Sequence, residues 1–212
     1  MLINKETKLY GSFSKKAGNV GCTFFNTLFK EHKIDAIYRS FSVNKIEDAV
    51  NSARCLGFSG FAISMPFKKE VLKYVDLFSD EVKSIGASNT IINLDGELKA
   101  YNTDYNAAKE VLSEESRPLY ILGNGGYAAA VKKAAKDLNL QYELVTRKNW
   151  NDISIIRNSV VYNCTPVKNI EIHDSCRYID CITSTESGKE LSSIQSSHQF
   201  KLYTGIKVSN EK

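Results

Sequence analysis

The sequence contains few of the residues that mark a metal site or a disulfide scaffold. Among its 212 residues are three scattered histidines, and its five cysteines are odd in number and form no C-x-x-C pair. A zinc site needs clustered ligands, and a disulfide framework usually pairs an even number of cysteines. We therefore expect no metal site, and thiols that are reduced and mostly buried, as in a cytosolic protein.

Long apolar runs and clustered cations are also absent. The segment Met1 to Glu6 has no apolar signal core, and no run approaches membrane-spanning length. Lysine and arginine are scattered, and a net charge of +4 with a pI near 8.7 is only mildly basic, whereas nucleic-acid-binding surfaces concentrate their cations. We expect a cytoplasmic protein that binds neither membranes nor nucleic acids, with a modest positive field that suits an anionic substrate or a phosphate-bearing cofactor.

The composition is that of a folded chain, with 42% hydrophobic and 25% charged residues. Strand-like and helix-like segments alternate along it, which predicts α/β layers with mostly parallel sheets. The predicted strands are Lys8 to Phe13, Ala36 to Val43, Gly60 to Ser64, Ala87 to Asn93, Glu97 to Ala100, Leu119 to Leu122, Tyr142 to Thr146, Ser159 to Asn163 and Arg177 to Ile182. The predicted helices are Cys22 to Phe29, Ile46 to Leu56, Pro66 to Val75, a segment capped by Thr103 or Asp104 and ending at Leu112, and Gly126 to Leu138. Asp95-Gly96 predicts a hairpin turn, and the best domain boundary lies around Asn102 to Asn106.

A glycine-rich turn follows the apolar run Leu119 to Leu122. Gly123, Gly125 and Ala128 fit the G-x-G-x-x-G/A dinucleotide pattern, in which unsatisfied N–H groups and the helix dipole favour a pyrophosphate. An ordinary strand–turn–helix with small residues for close packing is the alternative. The candidate cofactor-binding residues here are Gly123, Asn124, Gly125, Gly126, Tyr127 and Ala128.

The end of the following strand indicates which cofactor is bound. About 20 residues after the glycines, an acidic residue would accept a hydrogen bond from a free ribose 2′-hydroxyl. Here the strand ends in Thr146-Arg147-Lys148, and two cations with a hydroxyl suit a 2′-phosphate. This favours NADP over NAD, unless Arg147 and Lys148 are simply a solvated loop pair.

Several short motifs stand in a recognisable order. They are Met65-Pro66-Phe67-Lys68, Gly86-Ala87-Ser88-Asn89-Thr90, Asn102-Thr103-Asp104, the glycine turn, Asn163-Cys164-Thr165-Pro166, and Gln195 with Phe200 and Tyr203-Thr204-Gly205. From about Tyr10 to Gly205 the chain resembles shikimate dehydrogenases. The resemblance implies an N-terminal α/β substrate-binding and catalytic domain, 1–102 with 196–212, and a shortened Rossmann-type NADP-binding domain, 103–195.

The resemblance also implies a reaction and its residues. It is reversible, NADP-dependent hydride transfer of the 3-dehydroshikimate/shikimate type, on a cyclic hydroxy acid or polyol, in aromatic amino acid biosynthesis, by a monomer or homodimer. Lys68 corresponds to the catalytic lysine and Asp104 to its partner; a lysine with a depressed pKa can exchange the hydroxyl proton. Ser64, Asn89 and Gln195 would bind substrate, and Gly205 the cofactor. On composition alone, Lys68 would be a solvated helix lysine and Asp104 a plain N-cap.

The chain departs from the family in its first loop and its second half. The family's two carboxylate-binding serines correspond to Val20 and Cys22, and valine cannot donate a hydrogen bond while a thiol donates weakly. Lys15 or Lys16 could instead bind a carboxylate by charge. A family tyrosine is Thr183 here, Ala129 replaces a frequent arginine, and the stretches on both sides of Asp180 are short.

Two functions fit this pattern. The first is an NADP-dependent oxidoreductase with altered carboxylate recognition, which the joint presence of Lys68, Asn89, Asp104 and the glycine turn favours. The alternative is a non-catalytic relative that binds a nucleotide or small ligand in a regulatory or assembly role, as the missing serines and the shortened second half suggest.

Overall fold

The structure, a computed structural model, describes residues 3–208, which divide into two compact units. One unit contains the described residues up to Thr103 together with those from Ser196 onward, and the other is Asp104–Gln195. The predicted α/β fold class is confirmed. The domain prediction also includes residues 1, 2 and 209–212, which lie outside the described residues.

The first unit is built on a six-stranded mixed sheet. Its strands are β1 (Lys8–Ser14), β2 (Ala36–Ser42), β3 (Gly60–Ile63), β4 (Leu77–Phe78), β5 (Thr90–Leu94) and β6 (Glu97–Tyr101), in the order β2-β1-β3-β5-β6-β4. β1 runs parallel to β2 and β3, and β5 runs antiparallel to β3 and β6. The helices are α1 (Val20–Glu31), α2 (Ile46–Cys55), α3 (Asp80–Ile85) and the 3-10 helix Glu70–Tyr74.

Because successive side chains of these strands point to opposite faces, a hydrophobic core lies on each face of the sheet. Phe13 and Phe61 face the cluster that contains α2 and the 3-10 helix, whereas Tyr10 faces the one that contains α1. Phe200 and Tyr203 of the C-terminal segment complete this second cluster. Gly60 allows the close approach, since a Cβ there would lie 2.8 Å from the Tyr203 ring.

The predicted hairpin at Asp95-Gly96 is confirmed. Leu94 pairs with Glu97, and the two residues between them have φ values of 51° and 102°. Positive φ at both central positions is the mark of a type I′ turn, which asparagine or aspartate followed by glycine favours. The dipeptide alone therefore determined this connection.

The predicted helix Pro66 to Val75 is wrong in its first half. A cis Met65–Pro66 peptide lies in a turn closed by Phe67 N donating to Ser64 O at 3.0 Å, and helical structure begins only with the 3-10 helix. Phe67, Val71 and Val75 are nevertheless buried, whereas Leu72 is half-buried. Apolar residues four positions apart can be buried by a turn followed by a 3-10 helix as well as by an α-helix. The spacing therefore did not distinguish the two conformations.

The second unit has a four-stranded sheet that is entirely parallel. Its strands are β7 (Leu119–Leu122), β8 (Tyr142–Val145), β9 (Val160–Asn163) and β10 (Arg177–Asp180), in the order β10-β9-β7-β8. The remaining helices are α4 (Thr103–Val111), α5 (Gly126–Asp137), the 3-10 helix Trp150–Ile155 and α6 (Glu186–Thr204).

The two faces of this sheet are covered differently. Residues of α4, α5 and the first part of α6 form the larger cluster with the sheet, and its buried members include Ala108, Val131, Leu191 and Ile121. On the other face Leu122 packs with Ile153 and Ile156, with the half-buried Ile170 at the margin. Sequence analysis gave no bounds for the long helix α6, and it missed α3, β4 and the 3-10 helix Trp150–Ile155. Short elements like these carry too few residues for a periodic pattern.

Glu115 connects the end of α4 to the sheet of this unit. Its carboxylate forms a bidentate ion pair with Arg117, whose Nε and Nη2 donate to the two carboxylate oxygens at 2.9 and 2.8 Å. Nη1 of Arg177 lies 3.4 Å from the same carboxylate. The hydrogen bonds from Arg117 lower the pKa of Glu115 to about 2, although burial opposes them. Because the folded-state pKa lies below the unfolded one, the stabilisation is full above pH ~4.5 and lost as the pH falls towards 2.

We therefore expect Glu115→Gln to lower the free energy of unfolding at pH 7, and the deficit to shrink between about pH 4.5 and 2. Urea unfolding of both proteins across this range measures it. The exposed neighbour provides the control variant, Glu114→Gln, which should match the wild type throughout. A Glu115→Gln deficit that stays constant with pH would contradict the assigned ion pair.

Within residues 3–208, no helix has the length and apolar character needed to cross a membrane. Across the same residues, no three potential metal ligands of the His, Cys, Asp or Glu type lie together.

Candidate functional site

In the first unit, three predicted site residues lie near the carboxyl ends of the strands β1 and β3. Ser64 directly follows β3, and its N–H donates to Phe13 O at 3.0 Å. The carbonyl oxygen of Lys68 accepts a hydrogen bond from Ser88 N at 2.7 Å, and Asn89 O accepts from Ile63 N at 2.8 Å. Backbone hydrogen bonds thus bring an exposed serine, a half-buried lysine and a buried asparagine to the carboxyl ends of β1 and β3.

The side chain of Asn89 is hydrogen-bonded to Thr90 and Thr103. Its Oδ1 accepts hydrogen bonds from Thr103 N at 2.8 Å and from Thr90 Oγ1 at 2.9 Å, while its Nδ2 donates to Thr103 Oγ1 at 3.0 Å. A buried amide is stabilised only when its polar atoms are paired. Asn89 therefore has a structural role that sequence analysis did not assign, and its contact with substrate stays a prediction.

Gln199 is a residue that sequence analysis missed. It is 2% exposed, and its Nε2 donates to Thr90 Oγ1 at 2.8 Å and to Asn89 O at 3.2 Å. The predicted Gln195 is half-buried, with its Nε2 3.4 Å from Ser192 O of the same helix. The two glutamines are four residues apart and so lie on one helix face. That spacing was the available signal for Gln199.

The first loop lacks the serine pair and fixes its residues in another way. Val20, the first residue of α1, is 61% exposed, and the Cys22 Sγ lies 3.2 Å from Ser40 Oγ. Lys15 N donates to Met65 O at 3.2 Å, and Lys15 Nζ donates to Asn44 Oδ1 at 2.9 Å. The loop therefore contacts the turn that precedes Lys68, and the ammonium group of Lys15 is hydrogen-bonded to Asn44.

In the second unit the glycine turn has the geometry of a phosphate-binding turn. Gly123 has φ of 103°, and a Cβ there would lie 2.8 Å from Thr165 Cγ2, so the position favours glycine. Gly125 precedes α5 in an extended conformation, without a side-chain cap, and the first turn of α5 has no acidic residue. The first N–H groups of α5 therefore have the arrangement that binds anions.

Tyr127 lies in this turn, but its side chain enters the core. Its hydroxyl is 3.1 Å from that of the fully buried Tyr162. Burial raises the pKa of both tyrosines well above the usual value, and the negative charge of the nearby Asp104 raises them further. Any contact of Tyr127 with a cofactor is therefore expected from its backbone.

Asp104 lies in the first turn of α4 and is 4% exposed. The helix begins at Thr103, so Thr103 and Asp104 are inside it rather than capping it, and Asn102 precedes it with its amide donating to Ala87 O at 2.9 Å. A carboxylate is favoured in a first turn by the helix dipole.

The loop after β8 presents the two predicted cations to solvent. Asn149 Oδ1 accepts a hydrogen bond from Thr146 N at 2.8 Å, and Asn149 Nδ2 donates to Leu144 O at 3.2 Å. This closed turn leaves Arg147 and Lys148 exposed. Gly205, the remaining predicted cofactor residue, ends α6 with φ of 77° and its N–H 2.8 Å from Lys201 O. Termination of the helix explains this glycine, and its cofactor contact stays a prediction.

The second unit also contains an open cavity of about 470 Å³ between Trp150–Ser154 and Val167–Glu171. The residues that line it do not include any of the predicted site residues. Trp150 is the single tryptophan of the sequence, which makes it a spectroscopic reporter for this unit.

Comparison with known proteins identifies the family. A sequence model of the shikimate dehydrogenase substrate binding domain matches residues 20–91. A shikimate dehydrogenase (NADP(+)) of Clostridium beijerinckii is 32% identical over 184 residues, which cover 76% of this chain and 68% of that protein. The chain belongs to the shikimate dehydrogenase family. The resemblance seen in the sequence motifs is therefore confirmed.

Other members of the family match over a smaller share of their length. A shikimate dehydrogenase-like protein of Haemophilus influenzae is 35% identical over 152 residues, covering 70% of this chain and 56% of that protein. The shikimate dehydrogenase (NADP(+)) of Pyrococcus abyssi is 36% identical over 166 residues, with coverage of 76% and 56%. The chain thus spans little more than half the length of these two relatives.

Solved structures of the family share the fold. A shikimate 5-dehydrogenase-like protein superposes with a TM-score of 0.85 and 26% identity, over 99% of this chain and 96% of that one. Shikimate dehydrogenase from Aquifex aeolicus gives the same TM-score at 23% identity, covering 98% and 96%. At such identity the second likeness concerns the fold alone.

Proposed function

We propose that the protein is an NADP-dependent oxidoreductase, which interconverts an alcohol and a carbonyl group on a shikimate-type substrate by reversible hydride transfer. The observation that carries the proposal is the joint presence of Lys68, Asp104 and the glycine turn in a member of the shikimate dehydrogenase family. Relatives such as the Pyrococcus abyssi protein bear the name shikimate dehydrogenase (NADP(+)). Residues 1–102 with 196–212 would bind substrate, and 103–195 would bind NADP.

The second unit fits the cofactor in two places. The N–H groups at the start of α5, beyond Gly123 and Gly125, would hold the pyrophosphate. The guanidinium of Arg147 would form paired hydrogen bonds with the 2′-phosphate, with Lys148 and Thr146 beside it. When bound, NADP supplies the hydride acceptor or, as NADPH, the donor.

Proton transfer falls to the residues of the chain itself. Lys68 would take the hydroxyl proton during oxidation and return it during reduction, with Asp104 as its partner. Asn89, Ser64 and Gln195 would donate or accept hydrogen bonds with the ring hydroxyls. Because Val20 and Cys22 replace the serine pair, carboxylate recognition is altered, and the loop ammonium groups of Lys15 and Lys16 are the available substitutes.

The protein would then act in aromatic amino acid biosynthesis in the cytoplasm, as a monomer or homodimer. The direct test follows NADPH absorbance with shikimate and NADP⁺, beside quinate and NAD⁺. We expect reduction of NADP⁺ with shikimate or a related cyclic polyol. Binding of NADPH without turnover of any such substrate would contradict the enzyme. That outcome would support a non-catalytic, nucleotide-binding relative, the function that the lost serine pair favours.

Arg147→Ala should weaken binding of NADP⁺ about 10- to 100-fold, because hydrogen bonds between charged groups contribute roughly 1.5–3 kcal/mol. Affinity for NAD⁺, which has no 2′-phosphate, should change little. Calorimetric titration, or quenching of Trp150 fluorescence, measures both. The control is Lys136→Ala, which removes a positive charge from the exposed last turn of α5. Equal losses for the two nucleotides would argue against a 2′-phosphate contact.

A further inference from the structure

Two cysteines follow neighbouring strands in register. β9 and β10 pair in parallel as far as Asn163 and Asp180, and the next residues are Cys164 and Cys181. Cys181 supplies the last hydrogen bond of this pairing, since its N–H donates to Asn163 O at 3.1 Å. Neighbouring strands lie about 4.8 Å apart, which falls within the Cα separation of roughly 4.4–6.8 Å that a disulfide requires.

The two side chains also lie on the same face of the sheet. Residues two apart on a strand share a face. Cys164 is therefore expected on the face of Tyr162, and Cys181 on the face of Ile179. Tyr162 and Ile179 both belong to the cluster that α4, α5 and α6 form with the sheet. The Cys181 Sγ is 3.9 Å from the carbonyl oxygen of Thr165, the residue after Cys164. The Cys164 side chain packs against the cluster that contains Tyr162.

We propose that Cys164 and Cys181 form a redox-active dithiol that closes to an intramolecular disulfide. The oxidant is a low-molecular-weight disulfide such as oxidised glutathione. One thiolate attacks the oxidant and releases one reduced thiol; the second thiolate attacks the mixed disulfide and releases the other. Two protein thiols and one small disulfide thus give one protein disulfide and two small thiols. The dithiol would close in this way whether or not the protein is a dehydrogenase.

The other three cysteines lie elsewhere. Cys176 packs on the opposite face of the same sheet, with its Sγ 3.6 Å from Ile156 O. Cys22 belongs to the first unit, where it contacts Ser40, and Cys55 is exposed at the end of α2. Cys176 is half-buried like the two paired thiols, and this makes it a matched control within the same unit.

The test treats the native protein with oxidised glutathione, alkylates the remaining thiols after denaturation and maps tryptic peptides. Cleavage after Arg157, Lys168, Arg177 and Lys189 places Cys164, Cys176 and Cys181 on three different peptides. We expect one new species that joins peptides 158–168 and 178–189 with the loss of two hydrogens. Two of the five thiols should become unavailable to alkylation.

The variants separate the pair from general thiol oxidation. Cys176→Ser should still form the cross-link, whereas Cys181→Ser and Cys164→Ser should each carry at most a mixed disulfide with glutathione. Full alkylation of both cysteines in the wild type would overturn the proposal. So would mixed disulfides alone, or a cross-link to Cys176. Because the wild-type map decides these outcomes, a variant that fails to fold does not affect the conclusion.

Discussion

Replacing Lys68 with alanine is expected to lower turnover of a shikimate-type substrate with NADP⁺ by about two to four orders of magnitude, the usual contribution of a positioned proton-transfer group. The substitution removes the ammonium group and leaves the backbone, whose carbonyl accepts a hydrogen bond from Ser88 N at 2.7 Å. The fold should therefore be retained. Affinity for NADP⁺ should also stay unchanged, because its proposed contacts are the α5 N-terminus and Arg147.

The matched control is Lys69→Ala, which removes the same charge from an exposed neighbouring position. We expect its kcat to stay within about twofold of the wild type, since exposed substitutions away from specific contacts have small effects. Steady-state kinetics and nucleotide titration on both variants measure the difference. Equal turnover in the two variants would remove Lys68 from the mechanism. A wild type that binds nucleotide without turnover would instead contradict the enzymatic function itself.

Replacing Asn163 with alanine is expected to destabilise the second unit by about 3 to 5 kcal/mol. Asn163 is fully buried, and its Oδ1 accepts hydrogen bonds from Thr165 N at 2.9 Å and Thr165 Oγ1 at 2.7 Å. Its Nδ2 donates to Val167 O at 3.0 Å and to Asp180 Oδ1 at 3.2 Å. Alanine would leave several of these buried groups unpaired, at roughly 1–3 kcal/mol for each one.

The expected loss of stability is large because the carboxylate of Asp180 is buried. Asp180 is 4% exposed, and besides Asn163 its carboxylate accepts hydrogen bonds from Ile182 N at 2.9 Å and from Tyr178 Oη at 3.2 Å. Urea unfolding, followed by Trp150 fluorescence, measures the change in this unit. The control is Asn151→Ala, at an exposed position, which we expect to lie within about 0.5 kcal/mol of the wild type. Similar midpoints for the two variants would contradict the role of the network.

Elements that depend on short-range chemistry were predictable from the sequence. The strand–turn–helix at Gly123 and Gly125 follows from apolar residues, glycine conformation and an alanine-rich helix. The hairpin at Asp95-Gly96 follows from two residues that tolerate positive φ. Strong periodic segments such as α2 and α5 were also found within two residues of their observed ends.

Contacts between residues far apart in the chain were not predictable in this way. Gln199 could not be distinguished from Gln195 until α6 was seen to place one of them against Thr90. The core position of the Tyr127 side chain depends on Tyr162, 35 residues later. The in-register placement of Cys164 and Cys181 likewise depends on how β9 and β10 pair, which a single sequence does not encode locally.

The sequence by itself determined the α/β class, the glycine turn, the cations of the β8 loop and the motifs that resemble the shikimate dehydrogenase family. These rest on local backbone preferences and on residue order, which the chain carries without its fold. The tertiary structure alone decided which polar groups are paired in the interior, such as Asn163 with Asp180, and that Pro66 lies within a turn. Burial and long-range hydrogen bonds decide those features, and both exist only once distant segments pack together.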